Sequence, residues 1–155
     1  TLMSQTCRTT DFAFHVPDDW VDRSMVAWSA PPGTDRKTPP NVMVAYDRPR
    51  AEESLGTYVN RQLKDLTARA TKFHLDTRRD VMLSGRAAVE LVFHWDAGNG
   101  MIKQRQIYSL LPDGRSITIV NTARLTDFPD ADAEFMVMLN SFGWAPAEAS
   151  PTVQG

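Results

Sequence analysis

The chain has 155 residues, 42% of them hydrophobic and 23% charged, the usage of one globular domain with one core, which excludes a disordered, collagen-like or coiled-coil chain. A formal net charge of −2 and a pI near 5.9 supply no basic footprint for nucleic acid or an anionic membrane. Cys7 is the only cysteine, so neither an internal disulfide nor a cysteine zinc site can form.

Strand-like runs fill the first third. Phe12 to Val16 stops at Pro17, Ser24 to Ala30 stops at Pro31-Pro32-Gly33, and Asn41 to Asp47 lies between Pro39-Pro40 and Pro49, which predicts three short strands. From 51 to about 70 the apolar spacing changes to three and four, through Leu55, Val59, Leu63, Leu66 and Ala70, the stripe of an amphipathic helix. Glu52 and Glu53 stand near its start, where the helix dipole favours acidic groups. Residues 72–124 are strand-rich and broken by Ser84-Gly85, Gly98-Asn99-Gly100 and Pro112-Asp113-Gly114. Turns this short join antiparallel neighbours, so this block reads as a meander. A last helix begins near Pro129 and places Ala131, Phe135, Met138, Leu139 and Phe142 on one face, with Gly143 positioned to end it. The result is one domain over 1–144 and a flexible tail over 145–155, rich in small residues and proline.

An antiparallel sheet with one wet face alternates apolar and polar residues; several strands here do not. Val26, Trp28 and Ala30 oppose Met25 and Ala27, and Val42, Val44 and Tyr46 oppose Met43 and Ala45. Ile102, Tyr108 and Leu110 likewise oppose Ile107 and Leu111. Both faces therefore call for cover. Two helices, each ~10 Å across, cover most of one face of a sheet ~33 Å wide and leave the other to a subunit, a ligand or a curl of the sheet on itself. Gln104 and Gln106 share a face with Ile102 and Tyr108, and Gln62 lies one helical turn from Tyr58 and Leu66. Amides in an apolar setting offer donors and acceptors there.

Support for catalysis is weak. His15, His74 and His94 stand in no metal-binding spacing, Asp18-Asp19 occupies a turn-like Pro-Asp-Asp-Trp, and neither a phosphate loop nor a GxSxG elbow occurs. No enzyme activity, metal or cofactor is expected. No run approaches the ~20 apolar residues of a membrane span, and no charged start leads into an apolar run like a secretory signal, which points to the cytoplasm. Thr1 and Leu2 precede Met3, which leaves a removed leader open, and Ser4-Gln5-Thr6-Cys7 lacks the small residues that precede a lipid-carrying cysteine.

The run Phe14-His15-Val16-Pro17-Asp18-Asp19-Trp20-Val21-Asp22-Arg23-Ser24-Met25 resembles the opening of DcrB-related proteins, especially the effector-associated (Eag) chaperones of bacterial type VI secretion. Tyr58-Val59-Asn60-Arg61-Gln62-Leu63, Gly85 to Leu91, Lys103 to Tyr108, and Met138 to Phe142 follow in the same order, so the resemblance spans about 12 to 143. It implies an α+β, Mog1/PsbP-like fold with a twisted, largely antiparallel sheet of six or seven strands and two main helices. It also implies a cytoplasmic homodimer without catalysis. Such chaperones bind the N-terminal hydrophobic, transmembrane-type helices of PAAR-domain effectors and keep them soluble until loading on the secretion spike, without entering a membrane themselves. On that reading Gln62, Gln104 and Gln106 imitate a neighbouring helix while Val26, Trp28, Met43 and Ile102 supply apolar contact. The long proline-rich loop from Pro31 to Pro40 and the tail after Gly143 depart from the family pattern. The rival expectation is an envelope protein of the broader DcrB-related kind, periplasmic or lipid-anchored.

Overall fold

The computed structural model describes residues 3–33 and 39–146. Thr1 and Leu2, the centre of the proline-rich loop (34–38) and most of the expected tail (147–155) lie outside the described residues. Within them the order is β1 (Ser4–Arg8), β2 (Ala13–Pro17), β3 (Met25–Ser29), β4 (Asn41–Asp47), α1 (Leu55–Arg69), β5 (Thr71–Leu83), β6 (Arg86–Asp96), β7 (Met101–Leu110), β8 (Ser116–Arg124) and α2 (Phe128–Asn140). β3 to β8 form a six-stranded sheet in the order β3-β4-β8-β7-β6-β5, antiparallel throughout, while β1 and β2 form a separate hairpin.

The turns impose this order. Ser84 and Gly85 are the whole connection between β5 and β6, and both have positive φ, 46° and 85°. That is the geometry of a two-residue hairpin turn that follows the right-handed strand twist. Leading β8 away from β7 by another short turn completes the expected meander, and the β3–β4 hairpin adds to the free edge of β8.

α1 starts later than the run of glutamates suggests. Ser54 accepts from the Thr57 N–H (3.2 Å) while Thr57 Oγ1 accepts from the Ser54 N–H (2.8 Å), a reciprocal cap that satisfies two otherwise orphaned donors. Glu52 and Glu53 consequently precede the helix. Glu53 instead takes two hydrogen bonds from Arg61 (2.8 and 2.7 Å) and one from the Arg50 N–H (2.8 Å). α2 opens with Pro129 in its first turn and closes at Ser141, before the predicted stop at Gly143. Its buried side carries Phe128, Ala131 and Phe135, with Leu139 and Phe142 packed beside them. Met138, predicted on that side, is half exposed.

The two helices lie on opposite faces of the sheet, not on one as expected. Tyr58 and Val59 of α1 pack with Val89, Leu91, Phe93 and Tyr108, whereas Phe128, Ala131 and Phe135 of α2 pack with Ala88, Val92, Ile107, Ile119 and Ala123. Val89, Leu91 and Phe93 alternate with Ala88 and Val92 along β6, so these are its two sides. Both sides being apolar, each helix gains ~1.5–3 kcal/mol for every large side chain it buries, and placing both on one face would waste half of that. Glu90, 3% exposed, sits within the α2 face. Arg79 and Arg105 reach it at 2.6 and 2.7 Å, and Arg105 also clamps Asp132 of α2 through two 2.8 Å bonds. This chain of charges fixes α2 on the sheet.

Candidate functional site: the open half of the α1 face

α1 packs against β5, β6 and β7, which leaves no helix over the same face of β8, β4 and β3. The cross-strand register defines what is left open. Gln104 pairs with Thr122 and Gln106 with Val120 across β7–β8; Val120 pairs with Met43 and Thr118 with Ala45 across β8–β4; Met43 pairs with Ala27 and Ala45 with Met25 across β4–β3. Paired residues share a side, so Ile102, Val120, Met43, Ala45, Ala27 and Met25 share one shallow surface beside α1 with Gln104, Thr118, Thr122, Arg124, Asn41 and Ser29. Exposure rises towards β3, where every residue is exposed.

Four of the seven predicted residues meet here: Met43, Ile102, Gln104 and Gln106. Gln62 stands on α1 one turn after Tyr58, half-buried and without a side-chain hydrogen bond among the described residues. Val26 and Trp28 do not belong with them. They pair with Val44 and Val42, and those valines pack into the cluster around Phe135 on the α2 side. Sequence alternation offers two sets per strand without saying which is which, and the set assigned to β3 lies on the opposite side of the sheet from Met43 and Gln104. Met25 and Ala27 hold the places expected for Val26 and Trp28. Ala45, Val120 and Thr122 share this face and were not picked out in the sequence, because only the β3–β4–β8 register brings them alongside β7.

The amides form a directed chain. Tyr108 Oη donates to Gln106 Oε1, Gln106 Nε2 donates to Gln104 Oε1 (2.8 Å), and Gln104 Nε2 donates to Thr122 Oγ1 (2.8 Å). Burial, and then the neighbouring Tyr58, push the Tyr108 phenol above its ordinary range. Burial likewise pushes Tyr58 up to about 12, and its hydroxyl donates to Asp47 Oδ2 at 2.9 Å. Both phenols stay protonated at neutral pH, so the Tyr108 hydroxyl has a proton to donate to Gln106 Oε1, which leaves the Gln106 amide N–H to continue the chain. Gln106, 8% exposed, is consumed by this chain. Gln104, half-buried, keeps one amide N–H for an incoming acceptor. The face therefore interleaves apolar groups (Ile102, Met43, Ala45, Ala27, Met25) with polar ones, a surface able to take a segment that offers both apolar contact and an occasional hydrogen bond.

Elsewhere, His74 and His94, far apart in sequence, are cross-strand partners whose rings lie 5.0 Å apart. His94 Nδ1 meets Asp76 Oδ2 at 2.9 Å and Lys103 Nζ approaches the same oxygen at 3.4 Å. Burial alone would raise the Asp76 carboxyl, but the His94 hydrogen bond and the Lys103 charge outweigh it and hold it below the usual range. Among the described residues no three His, Cys, Asp or Glu side chains are grouped to hold a metal, and no helix is long and apolar enough to cross a membrane.

Three known proteins frame this geometry. The chain is 28% identical over 94 residues to Effector EagT6 of Pseudomonas aeruginosa, a match covering 60% of this chain and 64% of that protein, so it spans somewhat less than two-thirds of that relative's length. Its fold matches the crystal structure of the P. aeruginosa protein PA94, of unknown function, with a TM-score of 0.79 at 22% identity over 92% of this chain and 98% of that one. It also matches the cyanobacterial PsbP (CyanoP) of Synechocystis with a TM-score of 0.54 at 11% identity over 94% of each chain. At such identities these two establish the fold alone, and it is the α+β, PsbP-like architecture expected from the sequence. The family model for DcrB matches residues 12–141, and with the Tyr58–Leu63 and Lys103–Tyr108 segments in their expected places on α1 and β7, the chain belongs to the DcrB family.

Proposed function

We propose that this protein is a secretion chaperone of the type VI system that binds and shields the hydrophobic, transmembrane-type N-terminal helices of a PAAR-containing effector before loading on the spike. On this reading it acts as a cytoplasmic homodimer, without catalysis, and the similarity to Effector EagT6 supports the effector association. The observation that carries the reading is the uncovered face beside α1, on which Met43, Ala45 and Ile102 lie with Gln104, whose amide keeps an N–H to donate. Spanning helices associate through close apolar packing and occasional interhelical hydrogen bonds, and this surface offers both while removing from water a segment that would otherwise aggregate.

Co-expression with the apolar N-terminal fragment of a PAAR effector tests it. The wild-type protein is expected to bring the fragment into the soluble fraction and co-purify with it. Met43→Glu is expected to abolish capture, whereas Val137→Glu, on the exposed outer side of α2, leaves it intact. A fragment that stays insoluble with wild type, or capture by a folded Met43→Glu variant equal to wild type, refutes the proposal.

A further inference from the structure

The register sorts the uncovered face into rows. Four polar residues stand in one straight line across it: Gln104 pairs with Thr122, Thr122 with Asn41, and Asn41 with Ser29. One step beyond that line Arg124, paired with Ile102, adds a guanidinium. On its other side come two rows that are apolar on the outer strands, Met43 with Ala27 and Ala45 with Met25. They stop at Asp47, which accepts from Tyr58. Rows on one side of a strand lie ~6.8 Å apart, so two of them make a strip about as wide as a helix, ~10 Å. A helix on this strip therefore runs across the strands, with apolar contact beneath it and the polar row along one flank. Laid along the strands it would cover the polar row and Asp47 instead.

The hydrogen-bonding capacity of the row is unspent, and most of it donates. Gln104 gives one amide N–H to Thr122 and keeps the other, and Thr122, having accepted, keeps its O–H. The side chains of Asn41 and Ser29 make no hydrogen bond among the described residues. Water serves these groups while the face is open. A uniformly apolar helix would displace that water and return nothing, and a donor left dry loses more than a made hydrogen bond gains.

The spacing suits a helix that does return something. Strands ~4.8 Å apart put the four rungs of the row at about 0, 4.8, 9.6 and 14.4 Å, and residues i, i+3, i+7 and i+10 of a helix stand on one stripe at about 0, 4.5, 10.5 and 15 Å. We infer that the guest of this face is a helix seated across the strands whose flank towards Gln104, Thr122, Asn41 and Ser29 carries small hydrogen-bond acceptors, Ser, Thr or Asn, at that spacing. This rests on the chaperone reading and adds a rule of selection to it. Apolar contact alone separates one greasy helix from another weakly, whereas a site with polar groups to satisfy rejects a guest that leaves them unpaired.

The test uses dye-labelled Leu/Ala helices of ~20 residues as probes: a plain one, one with Ser at i, i+3, i+7 and i+10, and one with the same number of Ser scattered around the helix. Each is diluted from dimethyl sulfoxide into the full chain, and binding is read by fluorescence anisotropy. The wild type is expected to bind the striped probe about tenfold more tightly than the scattered one, the return of one or two net hydrogen bonds. The double variant Asn41→Leu with Ser29→Ala is expected to weaken for the striped probe and tighten for the plain one. Damage to the fold weakens binding of every probe, so the gain on the plain probe is a reading that a merely structural role does not produce, and the wild-type comparison decides the matter without any variant. Equal wild-type affinity for striped and scattered probes, or a double variant that keeps the wild-type preference, overturns the inference and leaves the chaperone reading standing. A folded wild type that binds none of the probes sinks both.

Discussion

Replacing Gln106 by Leu isolates the energetics of the amide chain. The side chain is 8% exposed and accepts from Tyr108, itself 3% exposed, while donating to Gln104. Leucine fills a similar volume but accepts nothing, so the buried Tyr108 hydroxyl is left unsatisfied at a cost of ~1–3 kcal/mol, whereas the half-exposed Gln104 carbonyl can turn to water. Allowing for the added apolar burial, Gln106→Leu should destabilise by about 2 kcal/mol. Tyr108→Phe removes the donor and should cost ~1 kcal/mol. Because the first penalty exists only while the hydroxyl is present, the double variant should cost less than the sum of the two by ~1–2 kcal/mol. Urea unfolding with unchanged slopes measures all three. Additivity to within ~0.5 kcal/mol would refute the directed chain from Tyr108 to Thr122.

Arg105→Met should cost ~3–5 kcal/mol, because it strips Asp132 of its clamp and leaves the buried Glu90 with only the largely exposed Arg79. Arg79→Met should cost under ~1 kcal/mol, its side chain being 60% exposed; equal costs in urea unfolding would contradict the assigned clamp. Acid sensitivity follows from Glu53, which the hydrogen bonds from Arg61 hold down to about 2, and from Asp76, held below its ordinary range by His94 and Lys103 despite burial. Both are depressed carboxylates, so what they contribute is fully present above the unfolded value, 4.5 for Glu53 and 3.8 for Asp76, and is lost as pH falls through the folded one. The urea midpoint should therefore drop progressively between about pH 4.5 and 2, and Asp76→Asn should lower the neutral-pH plateau and flatten that limb. An acid limb identical to wild type would remove Asp76 from it.

Local chemistry was readable in the sequence where one residue type dictates one geometry. Ser84-Gly85 marked a hairpin because the turn needs positive φ at both positions, and β4 was bounded on both sides by prolines. The period of three and four located α1, though its start was misplaced because Glu52 and Glu53 suit a helix dipole as well as they suit the Arg61 pair that actually holds Glu53. β1 escaped notice: Ser4-Gln5-Thr6-Cys7-Arg8 has no alternation, and only its pairing with Phe14 and Val16 makes it a strand. Glu90 lay in plain view inside the apolar run Ala87 to Phe93, a signal of a buried ion pair that hydropathy treats as an interruption.

What alternation cannot carry is sidedness, and the site turns on it. A strand apolar on both sides reads the same whichever set faces a given helix; the choice is made by the register with β8, a strand about 75 residues further along. Placing Val26 and Trp28 with Met43 and Gln104 was therefore equivalent, at the level of the sequence, to placing Met25 and Ala27 there, and the difference decides what each set is for. Facing α1, the small Ala27 and Ala45 keep the floor of the open surface flat, as an approaching helix requires. Facing the other way, Val26 and Trp28 pair with Val44 and Val42 on the side that carries α2. The apolar excess that a single sheet and two helices could not explain thus divides by side, and only on the α1 side do Met43, Ala45, Ala27 and Met25 gather where no helix lies over them.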